Sequence, residues 1–200
     1  MFRPMSRTMK ALLAVWIAVL VGAAGWIGWD AWQGKQPGIG GPFALVAQNG
    51  KTVTSDSLKG KPTLIYFGFT YCPDVCPTDM QTIGGAMKLL KASDPALAAR
   101  VVPIFVTVDP TRDTPAVVKQ FVTAFHPRIV GLTGSPAAIE AVKKEFAIFS
   151  AKGDAAPGGG YLVNHSRQAY LMDPDGKPLA LLPQDKGPQA LADDIKRWAR

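Results

Sequence analysis

An apolar run that passes without a break into two proline-flanked cysteines constrains this chain's fold more than any other stretch. Residues 63–69 read TLIYFGF, an apolar, β-branched and aromatic run of strand length, which predicts a buried strand. The chain continues Thr70-Tyr71-Cys72-Pro73-Asp74-Val75-Cys76-Pro77. A proline ring crowds the backbone of the residue before it, so Pro73 and Pro77 disfavour the α region at Cys72 and Cys76. Pro77 is itself favoured at a first helical position, where its missing N–H is not needed. The spacing predicts a loop carrying both sulfurs, a helix beginning at Pro77 with Cys76 at or near its N-cap, and helix through 80–90. A buried strand turned directly into a helix calls for an α/β layering to cover both.

The remaining pattern agrees. Residues 43–46 and 51–54 flank Asn49-Gly50, a hairpin signal. Residues 101–108 (VVPIFVTV) predict a second buried strand, 129–132 a short one, and 169–172 and 179–182 a pair around the turn Asp173-Pro174-Asp175-Gly176. Helices are expected over 116–125, with Asp113 or Thr114 near the cap and Pro115 first, over 137–149 after Pro136, and over 190–198. Alternating strands and helices with a late hairpin make an α/β domain over 43–200.

The first part of the chain reads differently. Residues 11–29 (ALLAVWIAVLVGAAGWIGW) carry no charge and would span about 28 Å as a helix, close to a hydrocarbon core of about 30 Å. Arg3, Arg7 and Lys10 precede the run and Asp30 follows it, so the basic segment 1–10 stays cytoplasmic and the rest is exported. Trp26, Trp29 and Trp32 fall where an interfacial aromatic belt would lie. The expectation is a transmembrane anchor over 11–29 in a bacterial inner membrane, a Gly/Pro-rich tether over 30–42, and a periplasmic domain. A cleaved leader ending near Val21-Gly22-Ala23 is the alternative, and either one exports the domain to an oxidising compartment.

The formal net charge is +7, but removing Arg3, Arg7 and Lys10 leaves 19 basic against 15 acidic residues. No dense basic patch with interleaved aromatics appears, so nucleic acid is not an expected partner.

Cys72 and Cys76 are the only cysteines, too few for a disulfide framework. A loop at the positive end of a helix favours thiolate, the form that attacks disulfides and binds metals. Thiolates suit Cu(I) and zinc. A mononuclear site wants a third donor, and only two histidines exist. His126, before Pro127, is expected to end a helix on the surface. His165 lies in the turn-like stretch Val163-Asn164-His165-Ser166, after Pro157-Gly158-Gly159-Gly160, in a loop that could fold over the cysteines. From spacing alone, a metal site, a redox dithiol and a structural histidine all stay open.

Residues 68–77 (GFTYCPDVCP), residues 108–114 (VDPTRDT) and the distal His165 together resemble the SCO/SenC family of copper-binding proteins, over about 43–200. The resemblance implies a thioredoxin-like fold and a copper site, Cu(I) or Cu(II), built from Cys72, Cys76 and His165. It implies work on the binuclear copper centre of cytochrome c oxidase, with its copper-bearing subunit or another copper chaperone as partner. It leaves two mechanisms: copper delivery, or thiol-disulfide reduction of the target's cysteines by Cys72 and Cys76. A redox sensor is a third. Against a general oxidoreductase stand the CxxxC spacing and the histidine where thioredoxins place a cis-proline. Asp109-Pro110 reads as a turn after a strand, and Asp109, Arg112 and Asp113 as structural. Asn164 stands where many members have Asp beside the histidine.

Overall fold

A computed structural model of the chain describes residues 7–33, 38–155 and 159–199. It divides into two compact units, Met1–Gly38 and Ile39–Arg200. In the first, residues 11–29 lie within one helix, α1 (Arg7–Gln33). Among the described residues no helix is long and apolar enough to cross a membrane, so the expected span is not met within them. The side chains at 11, 14, 15 and 27–29, residues 1–6 of the basic segment and tether residues 34–37 lie outside that description.

The second unit is built around β3 (Thr63–Gly68), all six of whose residues are buried. Parallel to it runs β4 (Val102–Thr107), with Thr63 opposite Val102 and Gly68 opposite Thr107. Parallel neighbours need a crossover, supplied here by α3 (Val75–Ser93) and α4 (Pro95–Arg100). A second crossover, α5 (Pro115–Thr123), leads to β5 (Val130–Thr133), parallel to β4. The hairpin expected around Asn49-Gly50 is present as β1 (Ala44–Ala47) and β2 (Thr52–Thr54), with β1 antiparallel to β5 and a one-turn helix, α2 (Ser55–Leu58), following. On the other side β8 (Ala169–Met172) and β9 (Pro178–Leu181) complete a sheet in the order β2-β1-β5-β4-β3-β8-β9.

Strand alternation divides the core into two layers. Leu64 and Tyr66 face a cluster with Met80, Met87 and Leu90 of α3 and with Leu191 and Ile195 of the last helix, α7 (Gly187–Trp198). Ile65 and Phe67 face the opposite cluster, with Val142 of α6 (Pro136–Glu145), Phe146, Tyr170 and both cysteines. Helices thus cover both faces of a mixed sheet, the expected α/β, thioredoxin-like layering.

Four local expectations are corrected. Helix α3 starts at Val75 rather than Pro77. Helix α6 stops at Glu145 rather than 149, because Phe146 gives its carbonyl to Tyr170 Oη (2.8 Å) and Ala147 turns into the left-handed region at φ 50°. His126 is buried, its Nδ1 accepting from Arg128 N–H at 3.2 Å. Finally, β6 (Ser150–Ala155) and β7 (Tyr161–His165) pair as a separate antiparallel ribbon, so His165 ends a strand instead of sitting in a turn. Gly159 and Gly160 both take positive φ at its tip, a conformation that side chains resist.

Candidate metal centre

The cysteine loop leaves β3 at Gly68. A Cβ there would stand 3.0 Å from Cys76 Sγ and 3.0 Å from the Tyr66 ring, so the bare backbone makes room for the thiol. The loop is then tied to a buried carboxylate. Thr70 donates to Asp113 through its N–H (3.0 Å, to Oδ2) and its hydroxyl (2.6 Å, to Oδ1), and Thr107 Oγ1 donates to Oδ2 (2.5 Å). Burial pushes the Asp113 carboxyl above its usual range, against the pull of these bonds. Asp113 is therefore structural as expected, but it anchors the cysteine loop; Thr114 is the residue that caps α5.

Asp74 occupies the N-cap of α3 without a side-chain cap bond, and Cys76 is in the first turn. The first four N–H groups of a helix have no partner within it, which is why Pro77 is tolerated there. One of those free groups, Cys76 N–H, points at Cys72 Sγ at 3.4 Å. The positive helix end thus acts on Cys72. Both cysteines are free and buried, Cys72 at 8% exposure and Cys76 at 0%.

His165 is brought to this place by β7. Its Nδ1 lies 2.9 Å from the Ser166 carbonyl, which can only accept, so Nδ1 carries the proton. In the neutral ring the lone pair is then on Nε2, which lies 3.4 Å from Cys76 Sγ. Phe69 meets the imidazole edge-on, with centroids 5.7 Å apart. A groove lined by Cys72, Pro73, Val75, Asn164 and His165 opens beside the ring, with Cys76 buried behind it.

The two thiols differ sharply. The Cys76 hydrogen bond is the main influence pulling Cys72 down to about 4, with the backbone N–H of Cys76 adding to it and burial opposing. Cys76 is pushed up, first by its bond to Cys72 and then by burial. The pair therefore favours its first ionisation at Cys72.

Among the described residues no three His, Cys, Asp or Glu side chains are already closed around a single point. One donor pair, Cys76 Sγ and His165 Nε2, nevertheless stands near the spacing of two ligands on one ion. A sulfur at about 2.3 Å and an imidazole nitrogen at about 2.0–2.1 Å from a shared metal, the zinc values, stand about 3.6 Å apart. Cys76 Sγ and His165 Nε2 are within a few tenths of that.

Among the supporting residues, Asp79, Arg167 and Tyr161 carried no readable signal in the sequence, whereas Asp109 and Arg112 belong to the VDPTRDT motif and read as structural there. Asp79, fully buried in α3, accepts from Tyr66 Oη (2.9 Å) and from both prongs of Arg167 (2.7 and 2.5 Å). Arg112 donates to Asp109 Oδ2 (2.5 Å) and the Tyr161 carbonyl (2.8 Å) and stacks 3.7 Å above the Tyr161 ring. Tyr161 Oη closes that set onto Asp109 Oδ1 at 2.8 Å.

A sequence model of the family described as SCO1/SenC matches residues 32–200. The chain is 40% identical over 161 residues to the SCO2-like protein of Rickettsia felis, covering 79% of this chain and 76% of that protein. It spans about half the length of the mitochondrial SCO proteins it matches in Arabidopsis thaliana and Saccharomyces cerevisiae. Among solved structures, Bradyrhizobium japonicum ScoI with copper bound superposes with a TM-score of 0.72 at 43% identity, over 80% of this chain and 99% of that one. BsSco, described as a member of the Sco family of cytochrome c oxidase assembly proteins with a disulfide switch, superposes with a TM-score of 0.60 at 33% identity, over 78% and 91%.

Proposed function

We propose a copper-carrying role from one premise: this chain belongs to the SCO1/SenC family, whose sequence model covers residues 32–200. The domain takes one copper ion as cargo on Cys72, Cys76 and His165, and passes it to the copper-bearing subunit of cytochrome c oxidase or to another copper chaperone. The observation that carries this reading is the 3.4 Å approach of Cys76 Sγ to His165 Nε2, with the Nε2 lone pair left free by the bond at Nδ1. Copper bound in a similar ScoI and the assembly role described for BsSco support it.

Two soft sulfurs and one imidazole suit Cu(I); Cu(II) would call for a further oxygen or nitrogen donor. Cys72 is ready as a thiolate, whereas Cys76 must give up its proton, so loading releases a proton and strengthens as pH rises. Hand-over follows by ligand exchange, a partner's thiolate entering as one of the three leaves.

Metal analysis with absorption spectroscopy on the reduced protein tests this. One copper per chain is expected in the wild type, none in Cys76→Ser, and a marked loss in His165→Ala. Unchanged affinity and spectrum in His165→Ala would refute the ligand set.

A second reading, thiol-disulfide reductase, draws on the split between an ionised Cys72 and a protonated Cys76, the pattern of an attacking and a resolving thiol. Full disulfide-exchange activity in His165→Ala would favour it over delivery.

The same proposal places residues 11–29 in a bacterial inner membrane, with the domain in the periplasm. The uncharged run between Lys10 and Asp30, lying within α1, supports it.

A further inference from the structure

The ribbon that delivers His165 is not hydrogen-bonded into the main sheet, and two-stranded ribbons are marginally stable by themselves. Something else must fix where its His165 end lies. On α3, Cys76 and Asp79 are three residues apart, so they stand side by side on one helix face. On the facing segment His165 and Arg167 are two residues apart. Two rungs therefore join the same two stretches of chain: Cys76 to His165, and Asp79 to Arg167.

The second rung is the stronger. Asp79 is fully buried, and both its oxygens are engaged by the planar fork of Arg167, with Tyr66 Oη as a third donor. A two-pronged arginine–carboxylate pair fixes orientation as well as distance, and among the described residues Arg167 is the only cation paired with this buried carboxylate. Tyr66 is on β3, so the clamp ties helix, central strand and the His165 segment together.

We propose that Asp79 and Arg167 are positioning residues for the copper site: their clamp fixes segment 165–167, so that His165 Nε2 stays against Cys76 and the Ser166 carbonyl stays on Nδ1, without either residue touching the ion. This rests on the copper reading above. It predicts that losing the clamp weakens copper binding through His165 rather than through the fold.

The test uses the full chain, as Arg167→Ala and as Arg167→Lys, which keeps the charge but loses the fork. Two quantities are read: Cu(I) affinity by chelator competition, and the ring ¹⁵N shifts of His165 in metal-free protein. In Arg167→Ala affinity is expected to fall about 10–100-fold, the range found when a residue orienting a metal ligand is removed. The fall should vanish when His165→Ala is already present, because the clamp would then have nothing to orient. The wild-type ring should show the Nδ1–H tautomer, and both variants a mixture. Arg167→Lys is expected to fall between wild type and alanine, and it carries the test should Arg167→Ala fail to fold. A lower melting temperature with unchanged affinity and unchanged ring shifts would overturn the proposal. So would an affinity loss that persists in the His165→Ala background. The ring shifts need no metal. A wild type that takes up no copper would therefore sink the copper reading, while the tautomer result would still decide whether the clamp positions the histidine.

Discussion

Cys72 owes its low ionisation to two groups at the start of α3, the Cys76 thiol and the Cys76 N–H. A thiol that ionises at about 4 when folded, against an ordinary 9.0, makes unfolding take up a proton between those two pH values. Stability from this group is therefore present above about pH 9 and is lost as pH falls towards 4. Reactivity should follow the same titration: with iodoacetamide on the reduced, metal-free protein, Cys72 is expected to be alkylated at pH 6, while Cys76 stays protected until the chain unfolds. Peptide mapping of the modified site checks it, and equal labelling of both cysteines would contradict it. Gly68 makes a second residue-scale case. Its Cβ would meet Cys76 Sγ and the Tyr66 ring at 3.0 Å, and Phe105 at 3.2 Å. Gly68→Ala is expected to cost about 1–3 kcal/mol, the usual penalty for overpacking a filled core. Chemical denaturation would measure it, and a neutral result would mean the thiol yields freely.

Among the elements, the β6–β7 ribbon depends most on side chains. At its His165 end stands the Asp79–Arg167 clamp, and at its Tyr161 end Arg112 ties the Tyr161 carbonyl and ring to Asp109. An arginine thus secures each end of β7. In Arg112→Ala, amide exchange in 161–165 is expected to speed at least about tenfold, since local opening follows the few contacts that hold a segment. The amides of β3 and β4, buried in the central sheet, should exchange as in the wild type. Uniform acceleration throughout would instead show that Arg112 supports the whole fold. The VDPTRDT segment, readable only as a turn and a cap, thus supplies both the anchor of the cysteine loop and a tie to the ribbon.

For the whole molecule, the chain separates into an N-terminal helical unit and a domain with its own two-layered core. If residues 11–29 anchor it, the chain should stay in the membrane fraction after alkaline carbonate extraction, and external protease should reach the domain only once the outer membrane is opened. Recovery in the carbonate supernatant would rule the anchor out. Much of the domain was legible from the amino-acid order. Hydrophobic period and run length located the strands at 63–68 and 102–107, and proline position located the starts of α5 and α6. These signals are local, and local sterics decide them. The start of α3 escaped, because the helix takes in Val75 and Cys76 despite proline's aversion to a preceding helical residue. His165 was singled out by residue type and family resemblance, but its strand, its tautomer and its approach to Cys76 are tertiary facts. So are Asp79–Arg167 and Asp109–Tyr161, pairs 88 and 52 residues apart. Sequence by itself determined the layers and the two sulfurs, because those follow from neighbours along the chain. Only the tertiary structure decided which groups stand behind each sulfur and hold the histidine in place, because that depends on which distant segments share one burial.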